Sequence, residues 1–246
     1  TDDTKLYTQM SVSELKKQSQ IGREEEDMGT WRESMWKMEN GHDGRREHGT
    51  QSGGSENSST DDKTEKNGRK GAFRGTAYHR VLECLDLTAV SDQKKLESGV
   101  LALYQRGFLT EEAYESIFPW DIWKFLESPL GKRMKQAEKE GKLYRERQFM
   151  VGIPASEMGK GLQSEELVLI QGVIDAYIEE ADGFILIDYK TDYVPKEDTQ
   201  KGEELLKERY QVQLDYYGRA LTQLTGKKVK EKWIYSFGLR KAIQLG

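Results

Sequence analysis

Four consecutive residues, Phe184-Ile-Leu-Ile187, are all apolar, and they follow Asp182-Gly183, a dipeptide suited to a two-residue hairpin turn. A strand with apolar side chains on both faces of the pleat cannot face water on either side. It has to lie inside a sheet covered above and below. That requirement points to a layered α/β domain. The neighbouring segments agree. KLYRERQFMVGI, EELVLIQGVIDAYIEE and FILIDYKTDYV are rich in β-branched and aromatic residues and predict three consecutive strands. VKEKWIYSF and KAIQL predict closing strands. Helices supply the covering layers. RGTAYHRVLECLDL places Tyr78, Leu82 and Leu85 at helical spacing. A second helix follows Ser91, with Leu96, Val100 and Leu103 on one face and Gly107 as its stop. Thr110 and Ser128 suit the N-caps of two more, with Pro129 in a first turn and Gly141 after the last. Residues 199–225 form a long helix with Leu206, Tyr210, Gln213, Tyr217 and Leu224 on one face. The expected fold class is α/β, a mixed central β-sheet flanked by helices.

The 246 residues divide unevenly. Hydrophobic residues make up 35% and charged residues 33%, with a mean hydropathy of −0.83, and the polarity is concentrated in residues 40–71. Such a segment buries too little apolar surface to offset its ordering entropy, so it is expected to be a disordered polar insertion. Residues 1–39 precede it as an entry segment, in which Ser11 and Glu14 have capping-box spacing and open a short helix, SVSELKKQSQ. Residues 72–246 form the main domain. The first residue is Thr1, which suggests a piece of a longer chain. The single cysteine, Cys84, excludes an internal disulfide framework and a four-cysteine zinc or iron–sulfur site from this chain alone, and fits a reducing compartment. No run reaches the length of a membrane span. A net charge of −5 gives no global footprint for nucleic acid, so any DNA contact is local.

Charged residues interrupt the hairpin GVIDAYIEEADGFILIDYKTD at Asp175, Asp188 and Lys190. With Asp182-Gly183 as the turn, Ala181 pairs with Phe184. Asp175 then lies opposite Lys190, and Tyr177 opposite Asp188, all on one face. The two aspartates become diagonal neighbours at about 7–8 Å. Two carboxylates can hold a magnesium ion that accepts phosphate oxygens, and a lysine beside them can stabilise charge developing on phosphorus. The alternative is a solvated hairpin with one cross-strand Asp–Lys pair. A strand buried on both faces disfavours it, because buried carboxylates need a cation or a partner. His79 sits on the first helix of the domain with Glu83 one turn on, and its imidazole could join the carboxylates as a ligand. Gln213 falls inside an apolar stripe, where a buried amide must find partners. It could brace the site or touch a nucleotide. The motifs GxxxxGK[ST], GxSxG and HExxH are absent.

In order along the chain, GTAYHRVLE (75–83), GVIDAYIEE (172–180), IDYKTD (187–192) and YQVQLDYYGRAL (210–221) resemble the RecB-like nuclease domains of the PD-(D/E)xK superfamily. Within them the resemblance is to the AddA type, the C-terminal nuclease domain of bacterial helicase–nucleases, and TKLYTQMSVSELKK looks like the segment that opens such a domain. The resemblance implies a restriction-endonuclease-like fold and a metal-dependent deoxyribonuclease. It implies Mg2+, with Mn2+ as a substitute, bound by His79, Asp175, Asp188 and the backbone carbonyl of Tyr189. Lys190 is then the catalytic lysine, and Gln213 and Tyr217 form the supporting Gln-x-x-x-Tyr element. The implied partners are DNA, the helicase motor of the parent chain and an AddB-like second subunit that carries the iron–sulfur cluster this chain lacks. The implied setting is the bacterial cytoplasm, in double-strand-break repair and recombination. The long polar insertion departs from the compact family domain. A second possibility keeps the fold without the chemistry, as a non-catalytic DNA-binding or subunit-docking module.

Overall fold

The computed structural model describes residues 9–12, 14, 74–157, 166–192, 194 and 198–246. The expected insertion at 40–71 lies outside these residues, as does most of the helix expected after Ser11. The capping box itself is formed. Ser11 N–H donates to Glu14 Oε2 at 2.6 Å, and Glu14 N–H donates to Ser11 Oγ at 3.2 Å.

A mixed sheet forms the centre. Its strands are β1 (Gln9–Ser11), β2 (Leu143–Pro154), β3 (Leu167–Glu180), β4 (Gly183–Lys190), β5 (Val229–Ser236) and β6 (Lys241–Leu245). β3 pairs with β2 along one edge for nearly its whole length. Its other edge is shared: parallel β1 pairs with residues 169–171, and antiparallel β4 with residues 176–180. β4 then pairs in parallel with β5, and β5 with antiparallel β6. The stretch of β3 between its β1 and β4 partners contains Asp175.

Helices cover both faces. On one side lie α1 (74–84), α2 (Gln93–Gln105), α3 (Glu111–Ser116), α4 (Pro119–Glu127) and α5 (Pro129–Lys139). They pack with Ile185, Ile187 and Tyr189 of β4. On the other side α6 (Thr199–Thr225) packs Leu206, Tyr210, Leu214, Tyr217 and Leu221 against Phe184 and Leu186. Every residue of β4 is buried, as its uninterrupted apolar run requires.

The caps fall at the expected residues. Thr110 accepts from Ala113 N–H, Ser128 accepts from Gly131 N–H with Pro129 in the first turn, and Gly226 closes α6 at φ 73°. Three details differ. Between the Thr110 and Ser128 caps the chain makes two helices, because Pro119 removes a backbone donor and starts α4 anew. Leu224 is exposed, and Leu221 is the α6 residue buried at that end.

The hairpin is the third difference. The turn residues are Ala181 and Asp182, and the ladder pairs Glu180 with Gly183, Ile178 with Ile185 and Ala176 with Ile187. Gly183 therefore starts β4, at φ 148°, and Asp182 needs no positive φ. Close approach explains this glycine: a Cβ there would meet the Lys228 carbonyl at 2.6 Å, the same carbonyl that accepts from Phe184 N–H. Continuing the register by one step sets Asp175 directly opposite Asp188, where a diagonal relation was expected.

Candidate active site

The site gathers where β3 loses its β4 neighbour. Tyr189 N–H donates to Asp175 Oδ2 at 2.9 Å, so a side chain takes the backbone donor. Strand alternation also changes phase here. Val168, Ile170 and Ile174 pack on the α6 side, whereas Ala176 and Ile178 pack on the α1–α5 side. Opposite Asp175 in β2 stands Glu146, at φ 46°, one of two non-glycine residues with positive φ among the described residues. Its neighbours Arg145 and Arg147 pair with Ala176 and Ile174. The two strands thus kink together at the acidic pair. Left-handed backbone at a non-glycine residue is strained and persists only where its surroundings impose it.

Helix α1 brings His79. Arg145 fixes the end of that helix by donating to the carbonyls of Leu82 at 2.9 Å and Leu85 at 2.7 Å, and it pairs with Glu138. Tyr78, on the same helix, donates its hydroxyl to Asp121 at 3.1 Å and ties α1 to α4. A Cβ at Gly75 would meet Thr191 Oγ1 at 2.8 Å, so the first turn of α1 lies against the end of β4. His79 is thereby set with Nε2 3.1 Å from the Tyr189 carbonyl and Nδ1 3.4 Å from Asp175 Oδ1 and 3.7 Å from Glu146 Oε1.

On the α6 side, Lys190 Nζ lies 2.6 Å from Asp188 Oδ2. It donates to Gln213 Oε1 at 3.4 Å. The Gln213 amide nitrogen donates to the Tyr217 hydroxyl at 2.8 Å and to Asp188 Oδ1 at 3.4 Å. That accounts for the buried amide in the apolar stripe.

Of the expected residues, His79, Asp175, Asp188, Tyr189, Lys190, Gln213 and Tyr217 come together. Glu83 does not. It pairs with Arg80 at 2.8 Å, one turn along α1 from His79. Glu146 was not expected. Its only signal was a charge within a strand, and the chain joining β2 to β3 has no tight turn to reveal what lies opposite it.

Electrostatics follow from burial and mutual charge. Burial opposes protonation of His79, but Asp175 and Glu146 outweigh it and lift the imidazole to about 10. Burial raises the Asp188 carboxyl to about 6, with Lys190 opposing the rise and Asp175 adding to it. Burial also opposes the charge on Lys190, and Asp188 followed by Asp175 overrides it, so its pKa is raised. At neutral pH the buried histidine and lysine are both cationic, held by two buried aspartates.

A divalent cation fits this donor set. His79, Glu146 and Asp175 offer ligand atoms that all lie within 4.8 Å of one another. Carboxylate oxygens with one imidazole suit a hard or borderline ion.

Residues 55–243 match the family profile described as the PD-(D/E)XK nuclease superfamily, and the chain belongs to that family. It is similar to proteins named as the first of the subunits of an ATP-dependent helicase/nuclease. The one from Lachnoclostridium phytofermentans is 38% identical over 209 residues, covering 72% of this chain and 15% of that protein. Those from Clostridium botulinum strain Alaska E43 and Clostridium kluyveri are 40% and 42% identical, over 73% and 70% of this chain and 14% of each protein. The chain thus spans about a seventh of the length of these relatives.

Proposed function

We propose that this domain is a Mg2+-dependent deoxyribonuclease, acting as an exonuclease on single strands delivered by a helicase motor during double-strand-break repair. The observation that carries the reading is the meeting of Asp175, Asp188, His79 and Lys190 in one buried cluster at the end of β4. Buried charges at this density are costly, and a fold would replace them with apolar residues unless they performed a task.

His79, Asp175, Asp188 and the Tyr189 carbonyl would hold the cation, with Glu146 beside them. Mn2+ could substitute for Mg2+. When bound, the ion supplies charge neutralisation at phosphate and acidifies water. Lys190, held as an ammonium, donates hydrogen bonds and stabilises charge on the scissile phosphate; it cannot accept a proton in that state. Asp188 orients Lys190, and Gln213 with Tyr217 keeps both in place. Among the described residues no helix is long and apolar enough to cross a membrane. The relatives are named as helicase/nuclease subunits, which supports a parent chain that carries the motor and an AddB-like partner protein.

Asp188→Ala is expected to abolish cleavage of single-stranded DNA in Mg2+ while the circular dichroism spectrum stays that of the wild type. A folded Asp188→Ala variant that cuts at the wild-type rate would contradict the reading and favour a docking or binding module.

A further inference from the structure

The groups that hold Lys190 extend beyond Asp188 and Gln213. The Lys190 ammonium lies 4.3 Å from the centroid of the Tyr210 ring, in the interior of the protein. An ammonium has three donor directions. Here one faces the Asp188 carboxylate, one the Gln213 carbonyl oxygen and one the π face of Tyr210. The ring is itself pinned. The Tyr210 hydroxyl donates to Asp192 Oδ1 at 2.7 Å, and Arg209 Nη1 lies 2.8 Å from the same oxygen. Asp192 follows Lys190 by two residues, so the chain leaving β4 folds back to clamp the aromatic ring beside its own lysine. Tyr210, Gln213 and Tyr217 are spaced three and four apart on α6 and present one continuous face to Asp188 and Lys190.

We infer that Tyr210 is a positioning residue for Lys190: its ring face, locked by Asp192 and Arg209, sets where the ammonium meets a phosphate. The inference rests on the nuclease reading of the site and adds the control of its lysine. A physical reason favours a neutral partner there. Any cation shared with Asp188 weakens the hold of that carboxylate on Lys190. A ring face and an amide keep their attraction for the ammonium under the same change. A desolvated cation–π contact is strong enough to hold the side chain by itself.

The test replaces Tyr210 in the full chain with Phe, with mono- and trifluorinated phenylalanines, and with Leu. Phenylalanine keeps the ring and loses the hydroxyl. Fluorination drains the π face at nearly constant shape. The kcat for single-stranded DNA cleavage should fall stepwise along the fluorine series and reach about ten- to thirty-fold below wild type in Tyr210→Leu. KM should stay within about threefold, because Lys190 is placed for the transition state and not for substrate capture. A second readout needs no activity. The Lys190 Nζ–H signal in NMR spectra of the cation-free protein should be protected from exchange in wild type, and protection should decline in the same order. A flat fluorine series, or Lys190 protection unchanged in a folded Tyr210→Leu, overturns the inference. Loss of cleavage in the wild type with Lys190 protection intact would count against the nuclease reading and leave the ring–ammonium contact standing.

Discussion

The two halves of β4 are equally buried and chemically opposite. Phe184–Ile187 fills both cores with hydrocarbon, whereas Asp188–Lys190 carries two ionised groups and a tyrosine into the same interior. The first half behaves as a sheet centre should. Its burial is favourable at every atom, and its neighbours are apolar. The second half breaks that rule within one residue, and the surroundings reorganise to satisfy it. Tyr189 N–H goes to an Asp175 oxygen, Lys190 to Asp188 and Gln213, and β2 kinks at Glu146 to meet Asp175. The contrast separates residues kept for stability from residues kept for chemistry, although accessibility alone cannot tell them apart.

That contrast can be broken by substitution. Leu186→Ala removes hydrocarbon from the fully packed half and is expected to cost about 2–5 kcal/mol of stability. Asp188→Asn, two residues further on, removes a desolvated charge but leaves Lys190 unpaired, so its net cost should be smaller. Thermal or urea unfolding of the two variants decides this. If Asp188→Asn proves the more destabilising, the acidic half is structural and the division fails.

A smaller effect sharpens the same point through pH. Against the opposing effect of burial, Asp175 and Glu146 raise the His79 imidazole from 6.5 to about 10. A raised histidine pKa means that its proton stabilises the fold fully below about pH 6.5, and that this contribution is lost as pH climbs towards 10. The Asp188 carboxyl, raised to about 6, adds a loss of the same sign between about pH 4 and 6. The cation-free protein should therefore lose stability from pH 7 to 9. A divalent cation must displace the His79 proton, so its apparent affinity should rise by up to about tenfold per pH unit over that range. Calorimetric titration with Mn2+ at three pH values measures the slope. A flat affinity would remove His79 from the ligand set.

Much of this arrangement was legible in residue order. An apolar run bounded by a turn signal implied a doubly covered strand, and helical spacing put Gln213 and Tyr217 on the face that meets it. Capping residues fixed most helix ends. The expected facing of Asp175 and Asp188 survived a wrong register because the error was an even number of residues, which preserves strand parity. The glycine that misled it answers to the Lys228 carbonyl, a contact made 45 residues away in sequence. Glu146 was illegible for a related reason. Its position depends on a paired kink in two strands, and neither strand shows it alone. Glu83 failed because same-face spacing on a helix does not specify which neighbour a long side chain will choose, and Arg80 was nearer.

The central claim is that the polar half of β4 is a cation-dependent phosphodiester-cleaving site. Incubating the wild-type chain with end-labelled single-stranded DNA, with Mg2+ and then with excess chelator, tests it most directly. The account predicts shortening of the labelled strand in Mg2+ and its complete arrest on chelation. Intact DNA in Mg2+ and Mn2+ alike, or cleavage that continues unchanged in chelator, would contradict it.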